Sequence, residues 1–280
     1  MKGGAGNMRF WSLLLLAVVP LAAGTGAISL PAPVDSSGRG WIVSQPEEIV
    51  GYLLFDPVTV VDRLPQFLRF ITVEELAAGG VGWASDYLTK NSSRGDWGIS
   101  FLEIVRMGTF TIDGRAPAWP ENGAAALWLA RVARSDSTAD LGSGVPLLML
   151  EFWMPDSLYV AYMRDRGYYA TYGNVRLHRD PDGDWKGSVN VDGLSVLTEC
   201  RPSGPVTGGA ESNGQQVLIP PRSFTMCAPV QVAFAGHRIQ SCEGNSSWEL
   251  KGSHPLAHGI MPGPSTFQFG YNLVGGVRGR

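Results

Sequence analysis

Short runs of β-branched and aromatic residues, each stopped by glycine, proline or a polar turn cluster, recur along the whole chain and leave few places for a long helix. Residues 49–55, 58–61, 97–111, 147–153, 158–163, 175–178, 217–219, 224–226, 230–235 and 267–273 all read as strands. The 36 glycines and 19 prolines that divide them predict a mostly β fold with antiparallel or mixed pairing and a few short helices. After Pro65, residues 67–76 hold at most one short helix, and 124–134 fits an Ala-rich helix or a strand equally. Residues 201–214 carry Pro, Gly and Ser with little to bury and read as an exposed, mobile loop.

A chain with 44% hydrophobic and 17% charged residues has ample material for a core. The net charge of −3 and the lack of a basic run exclude a surface built for nucleic acid or anionic lipid. At the N-terminus, Lys2 and Arg9 precede an apolar run and then small residues, the order of a secretory signal over 1–27 with cleavage after Gly24 or Ala27. The apolar run falls short of the ~20 residues a spanning helix needs, so no membrane association is expected after signal removal and the protein is expected to be secreted. A flexible lead-in over 28–40 and one folded domain over 41–280 follow. Export makes one disulfide and one free thiol the expectation for Cys200, Cys227 and Cys242, with the pairing open. Asn91 and Asn245 begin Asn-x-Ser sequons, candidate glycosylation sites in an exported chain.

The segment 160–196, VAYMRDRGYYATYGNVRLHRDPDGDWKGSVNVDGLSV, places an Arg-Asp pair before an aromatic, glycine-punctuated turn and two alternating strands. It resembles the signature of the acetoacetate decarboxylase-like family, in which Gly-Arg-Glu runs through Gly-Tyr-Pro-Lys-Lys into a meander. On that frame Arg164 and Asp165 stand for Arg-Glu, Tyr169 for the Tyr, Ala170 for the Pro, and Thr171 and Tyr172 for the two lysines. Residues 248–256, with His254, Pro255 and Leu256, resemble the family's closing strand and connection, so the likeness spans about 41–273. It implies a single cone-like β-barrel around an apolar pocket, with Glu103 as the carboxylate that enters it. Glu47 and Glu48 stand where the family's polar-to-Arg position precedes a pocket-lining strand.

The family reaction attacks a β-keto acid with a lysine amine, and a threonine hydroxyl forms no iminium. The lysines Lys2, Lys90, Lys186 and Lys251 sit in polar or turn contexts that read as solvated. The resemblance therefore implies a small-molecule pocket for a keto acid or related carbonyl compound, without Schiff-base decarboxylation. Thr171, Tyr172 and Glu103 are its catalytic candidates, and Arg164, Asp165 and Tyr169 its substrate-binding candidates. Arg164 and Asp165 are expected as a partly buried pair at a strand end that orients the 169–173 turn. A non-catalytic ligand-binding or structural barrel is the alternative, and a homo-oligomer is open in either case. No cofactor is expected, since no dinucleotide fingerprint or P-loop occurs, and no metal, since His254 and His258 lie in a Gly- and Pro-rich loop instead of on a rigid helix.

Overall fold

The computed structural model describes residues 41–44, 46–107, 109–112, 123–136, 145–165, 167–208, 213–219, 221, 230–243, 248–263, 265–270 and 272–277. The signal segment 1–27, the lead-in 28–40, the expected strand 224–226, Cys227 and Asn245 lie outside the described residues.

The strands are β1 (Trp41–Ser44), β2 (Glu47–Phe55), β3 (Leu68–Phe70), β4 (Gly98–Arg106), β5 (Thr109–Ile112), β6 (Ala125–Arg134), β7 (Val145–Met154), β8 (Ala170–Tyr172) and β9 (Asn174–Arg179). They continue as β10 (Trp185–Val191), β11 (Leu194–Cys200), β12 (Pro202–Gly208), β13 (Asn213–Ile219), β14 (Val230–Ala235), β15 (Arg238–Cys242), β16 (Trp248–Gly252), β17 (Thr266–Phe269) and β18 (Asn272–Val277). Three short α-helices accompany them among the described residues: α1 (Val73–Ala78), α2 (Gly82–Lys90) and α3 (Ser157–Asp165). None is long and apolar enough to cross a membrane.

One sheet follows the path β12-β15-β17-β2-β4-β6-β7-β13-β14-β18-β1-β5, with β3 joining β6 and β8 joining β7; a second has the order β16-β11-β10-β9. Its first five strands and its last five are chain neighbours taken in the same order, β12 with β13 through β4 with β5. The described ladders leave the path open between β12 and β5 and set four strands apart, so closure into a single barrel is not among them.

The core lies between the two sheets. Ile49, Leu53, Leu102, Ile104, Trp128 and Trp153 of the large sheet meet Val175, Leu177, Val189, Leu194 and Val196 of the small one, all nearly inaccessible to solvent. Each such side chain contributes about 1.5–3 kcal/mol relative to leaving it in water. The opposite face of the large sheet is covered by helices: Tyr159 and Val160 of α3 pack on Val50, Phe101, Ala125, Leu129 and Phe152, and α1 and α2 bring Val73 and Ala84 onto Leu54 and Ile99. Cys200 and Cys242 form a disulfide that ties β11 of the small sheet to β15 of the large one.

Capping explains where the chain departs from its strand-like pattern. Asp56 accepts a hydrogen bond from the Val58 N–H at 3.0 Å and Pro57 fixes the next residue. Residues 58–61 therefore lie in a 3-10 turn, Pro57–Arg63, with Val58 and Val61 exposed, and not in the expected strand. Asp156 accepts from the Tyr159 N–H at 3.0 Å, which makes residues 158–163 part of α3 instead of a strand. Helix α1 begins with a capping box between Thr72 and Glu75. Residues 124–134 resolve as β6, a strand between β4 and β7 that hydrogen-bonds on both edges. The expected loop at 201–214 contains β12, paired with β15 through a register shift between Ser203 and Thr207.

Candidate functional site

The Arg-Asp pair stands at the C-terminal end of α3, with both residues exposed and no ion pair between them among the described contacts. This corrects the expected partly buried pair. Successive helical residues point in different directions, so neighbours at i and i+1 do not face each other. Arg164 still engages the turn that follows: its Nε donates to the Ala170 carbonyl at 2.6 Å and fixes the start of β8.

Strand β8 lies parallel to β7, with Phe152 opposite Ala170, Trp153 opposite Thr171 and Met154 opposite Tyr172. Residues opposite one another share a face, so Thr171 takes the face of Trp153, toward the small sheet, and Ala170 takes the face of Phe152. Gly173 then allows close passage, because a Cβ there would come within 2.4 Å of Val191 Cγ1.

Glu103 faces Ala170, not Thr171. The registers align Thr266, Val50, Glu103, Leu127, Phe152 and Ala170 in one row across six strands. The next row on the same face runs through Gln268, Glu48, Val105 and Ala125. Glu48 is thus the diagonal neighbour of Glu103, and Glu48, Thr266 and Gln268 are all buried. Burial, and then the negative charge of Glu48, push the Glu103 carboxyl well above the usual carboxylate range. Both causes favour the neutral form of that carboxyl. Gln268 also hydrogen-bonds His237, whose burial pushes its pKa down to about 4 and leaves it neutral at pH 7. A neutral carboxyl over an apolar floor is a hydrogen-bond donor or general acid toward a carbonyl oxygen.

The face of Thr171 carries a different constellation. Glu151 sits at the centre of β7, its side chain 8% exposed, with Arg63 Nη1 at 2.5 Å and His254 Nε2 at 3.1 Å. The Leu256 N–H donates to His254 Nδ1 at 3.2 Å, so the proton of a neutral ring lies on Nε2 and is donated to Glu151. The imidazole rests against Trp128 and Trp153, with ring centroids 5.9 and 5.8 Å away. Arg63 lies over the Tyr169 ring at 5.2 Å. Every member has a partner, and the network fastens the Pro57–Arg63 turn and the His254 connection to β7. Sequence reasoning passed over Arg63 and Glu151, although a lone carboxylate inside the apolar run LLMLEFWM was a signal available to it.

The predicted residues therefore divide. Glu103 lies on one face of the large sheet, Thr171 on the other, Tyr169 beside Arg63, and Arg164 and Asp165 on the helix end. Tyr172 is 60% exposed at the end of β8. None of Ala170, Thr171 and Tyr172 supplies an amine on either face. Lys186 is held 3.0 Å from Asp180, and that contact raises its pKa, the opposite of what an imine-forming lysine needs. Lys251 is 68% exposed beside Glu249, and Lys90 is exposed at the end of α2. Lys2 lies outside the described residues. Among the described residues no group of three or more His, Cys, Asp or Glu is placed to hold a metal ion.

No protein-family model matches the chain, and no curated protein matches it in sequence. Solved structures do. The enduracididine biosynthesis enzyme MppR with HEPES buffer bound superposes with a TM-score of 0.51 at 13% identity, over 91% of this chain and 97% of that one. An acetoacetate decarboxylase superposes with a TM-score of 0.50 at 10% identity, over 90% of this chain and 93% of that one. With nearly full coverage of both chains, and the mostly β architecture already described, the protein has the acetoacetate decarboxylase-like fold.

Proposed function

We propose that this chain is an exported member of the acetoacetate decarboxylase-like group whose strands enclose a barrel-like pocket for a small carbonyl compound, and that it handles this ligand without a Schiff base. The carrying observation is the row that sets a desolvated, protonatable Glu103 on the same face as Ala170. In its neutral form Glu103 donates a hydrogen bond to the ligand's carbonyl oxygen and supplies a proton as charge develops there. The Glu48 charge that raises the Glu103 carboxyl also acts against a negative charge on a ligand placed at that carboxyl, which opposes a keto-acid anion. Within the class of keto acids and related carbonyl compounds, this favours an uncharged ketone or ester. The non-catalytic alternative draws support from residues 170–172, where no amine replaces the nucleophile.

Calorimetric titration with acetylacetone and with acetoacetate tests this reading. The neutral diketone is expected to bind more tightly, and Glu103→Ala to weaken it about 10- to 100-fold, the range for losing a strong hydrogen bond. Equal binding by the wild type and Glu103→Ala contradicts the assignment.

A further inference from the structure

Between β16 of the small sheet and β17 of the large one the chain makes a 3-10 turn, Pro255–His258, and His254 begins it. Pro255 brings no N–H, and the Ala257 N–H donates to the His254 carbonyl at 2.9 Å, so the Leu256 N–H is the donor left for a cap. His254 Nδ1 accepts it at 3.2 Å, in the place where Asn, Asp, Ser or Thr is the usual cap. The other ring nitrogen is committed as well, since Nε2 meets Glu151 Oε1 at 3.1 Å. A neutral imidazole has one donor and one acceptor, and this geometry uses both.

A second proton on the ring must therefore go to Nδ1. It makes the bond to Glu151 charge-assisted and stronger, and it turns the cap into a meeting of two donors. Trp128 and Trp153 stand edge-on to the ring and keep it in place, with the side chain 14% exposed. The charged groups facing it are Glu151 and, bound to the same carboxylate, Arg63. Glu249 and Lys251 of β16 pair with each other in solvent, and His258 is exposed at the far end of the turn. The turn is thus the part that yields. Its flanks are pinned without the ring: the His254 N–H donates to the Gly193 carbonyl at 3.0 Å, and Ile260 exchanges hydrogen bonds of 2.8 and 2.9 Å with Leu54.

We propose that His254 is a pH-sensitive clasp, which caps the Pro255–His258 turn in its neutral form and lets that turn open on acidification while the ring stays on Glu151. The Gly193 and Leu54 bonds bound the segment that opens, so Leu256 is the buried side chain it releases and the two sheets remain joined. The clasp lies on the sheet face opposite Glu103 and stands whether or not Glu103 binds a carbonyl.

Imidazole ¹⁵N shifts and amide hydrogen exchange of the ¹⁵N-labelled full chain test this, followed from about pH 8 to about pH 5, the range in which histidines change charge. At the upper end the His254 ring is expected as the Nε2–H tautomer. On acidification the Leu256 amide is expected to lose about 3- to 30-fold in protection, the range for losing one cap, with the midpoint of the His254 ring. The His254 and Ile260 amides are expected to keep their protection. His254→Asn, which caps without titrating, is expected to hold Leu256 protected throughout, and His258→Asn to behave as the wild type does. Should His254→Asn fail to fold, the wild-type midpoints and the Ile260 amide still decide the matter. The proposal is overturned by an Nδ1–H tautomer, by a ring that stays neutral throughout, or by Leu256 protection that does not follow the ring. It is equally overturned by the same loss in His254→Asn, or by Leu256 and Ile260 losing protection together, which is acid unfolding of the whole region.

Discussion

Replacing Glu103 with glutamine keeps the shape of the side chain and removes its titration. In the folded protein the Glu103 carboxyl is raised by burial and by Glu48, whereas in the unfolded chain it titrates near ~4.3. Between those two values the folded state binds more protons than the unfolded state. Stability is therefore fully present below the unfolded pKa and is lost as pH rises through the folded one. The loss reaches at most about 1.4 kcal/mol per pH unit for a single group. Glu103→Gln lacks this slope, so its advantage over the wild type grows with pH until Glu103 is ionised. His237 works in the other direction, its depressed pKa costing stability as pH falls from 6.5 toward about 4. Because His237 is present in both proteins, it cancels in their difference. Urea denaturation of both proteins from pH 4 to pH 9, with the disulfide intact, measures that difference directly. The curves are expected to converge near pH 4 and separate above it, with Glu103→Gln the more stable. Parallel curves, or a wild type that is more stable at high pH, would show Glu103 to be an ionised, well-paired carboxylate and would refute the reading of Glu103 as a neutral carboxyl.

Two further outcomes follow from the packing. Glu151→Ala strips the partner from Arg63 and His254, with the Arg63 side chain only 18% exposed, and is expected to cost about 3–5 kcal/mol in chemical denaturation; a change under 1 kcal/mol would mean that water replaces the carboxylate. Opening the Cys200–Cys242 bridge frees a separation of 42 residues, worth about 4 kcal/mol in the chain-entropy model, so Cys242→Ser should melt well below the oxidised wild type, and equal melting temperatures would count against the cross-link.

The parts of the fold that were legible in the sequence are those where hydrophobic period and burial agree. Residues 49–55 and 97–106 alternate or run apolar because β2 and β4 are central strands, and the structure has them so. Residues 58–61 and 158–163 have strand-like composition, but one capping aspartate before each, Asp56 and Asp156, turns the local choice toward helix. The Ala-rich stretch at 124–134 gave no local answer, since only the neighbours β4 and β7 make it a strand. At the site, Glu103 was legible as an acid on a strand, whereas its neighbour Glu48 emerges only from the β2–β4 register. The failure concerned phase: side chains on a strand alternate, so a one-residue difference decides whether Ala170 or Thr171 shares the Glu103 face, and only the β7–β8 register settles that. Arg63, Glu151 and His254 are far apart in sequence, and no short motif links them.

No lysine stands at residues 170–172, the positions that the resemblance aligns with the family's lysine pair. Only the free amine attacks a carbonyl, and the described lysines are exposed or paired with a carboxylate instead of held in an apolar pocket. Incubation of the full chain with acetoacetate and then borohydride, followed by intact-mass and peptide mass spectrometry, tests the absence of a Schiff base most directly. A mass unchanged from the untreated protein and no modified lysine peptide are expected. A reduced imine adduct on Lys90, Lys186 or Lys251, accompanied by CO₂ release, would contradict that absence.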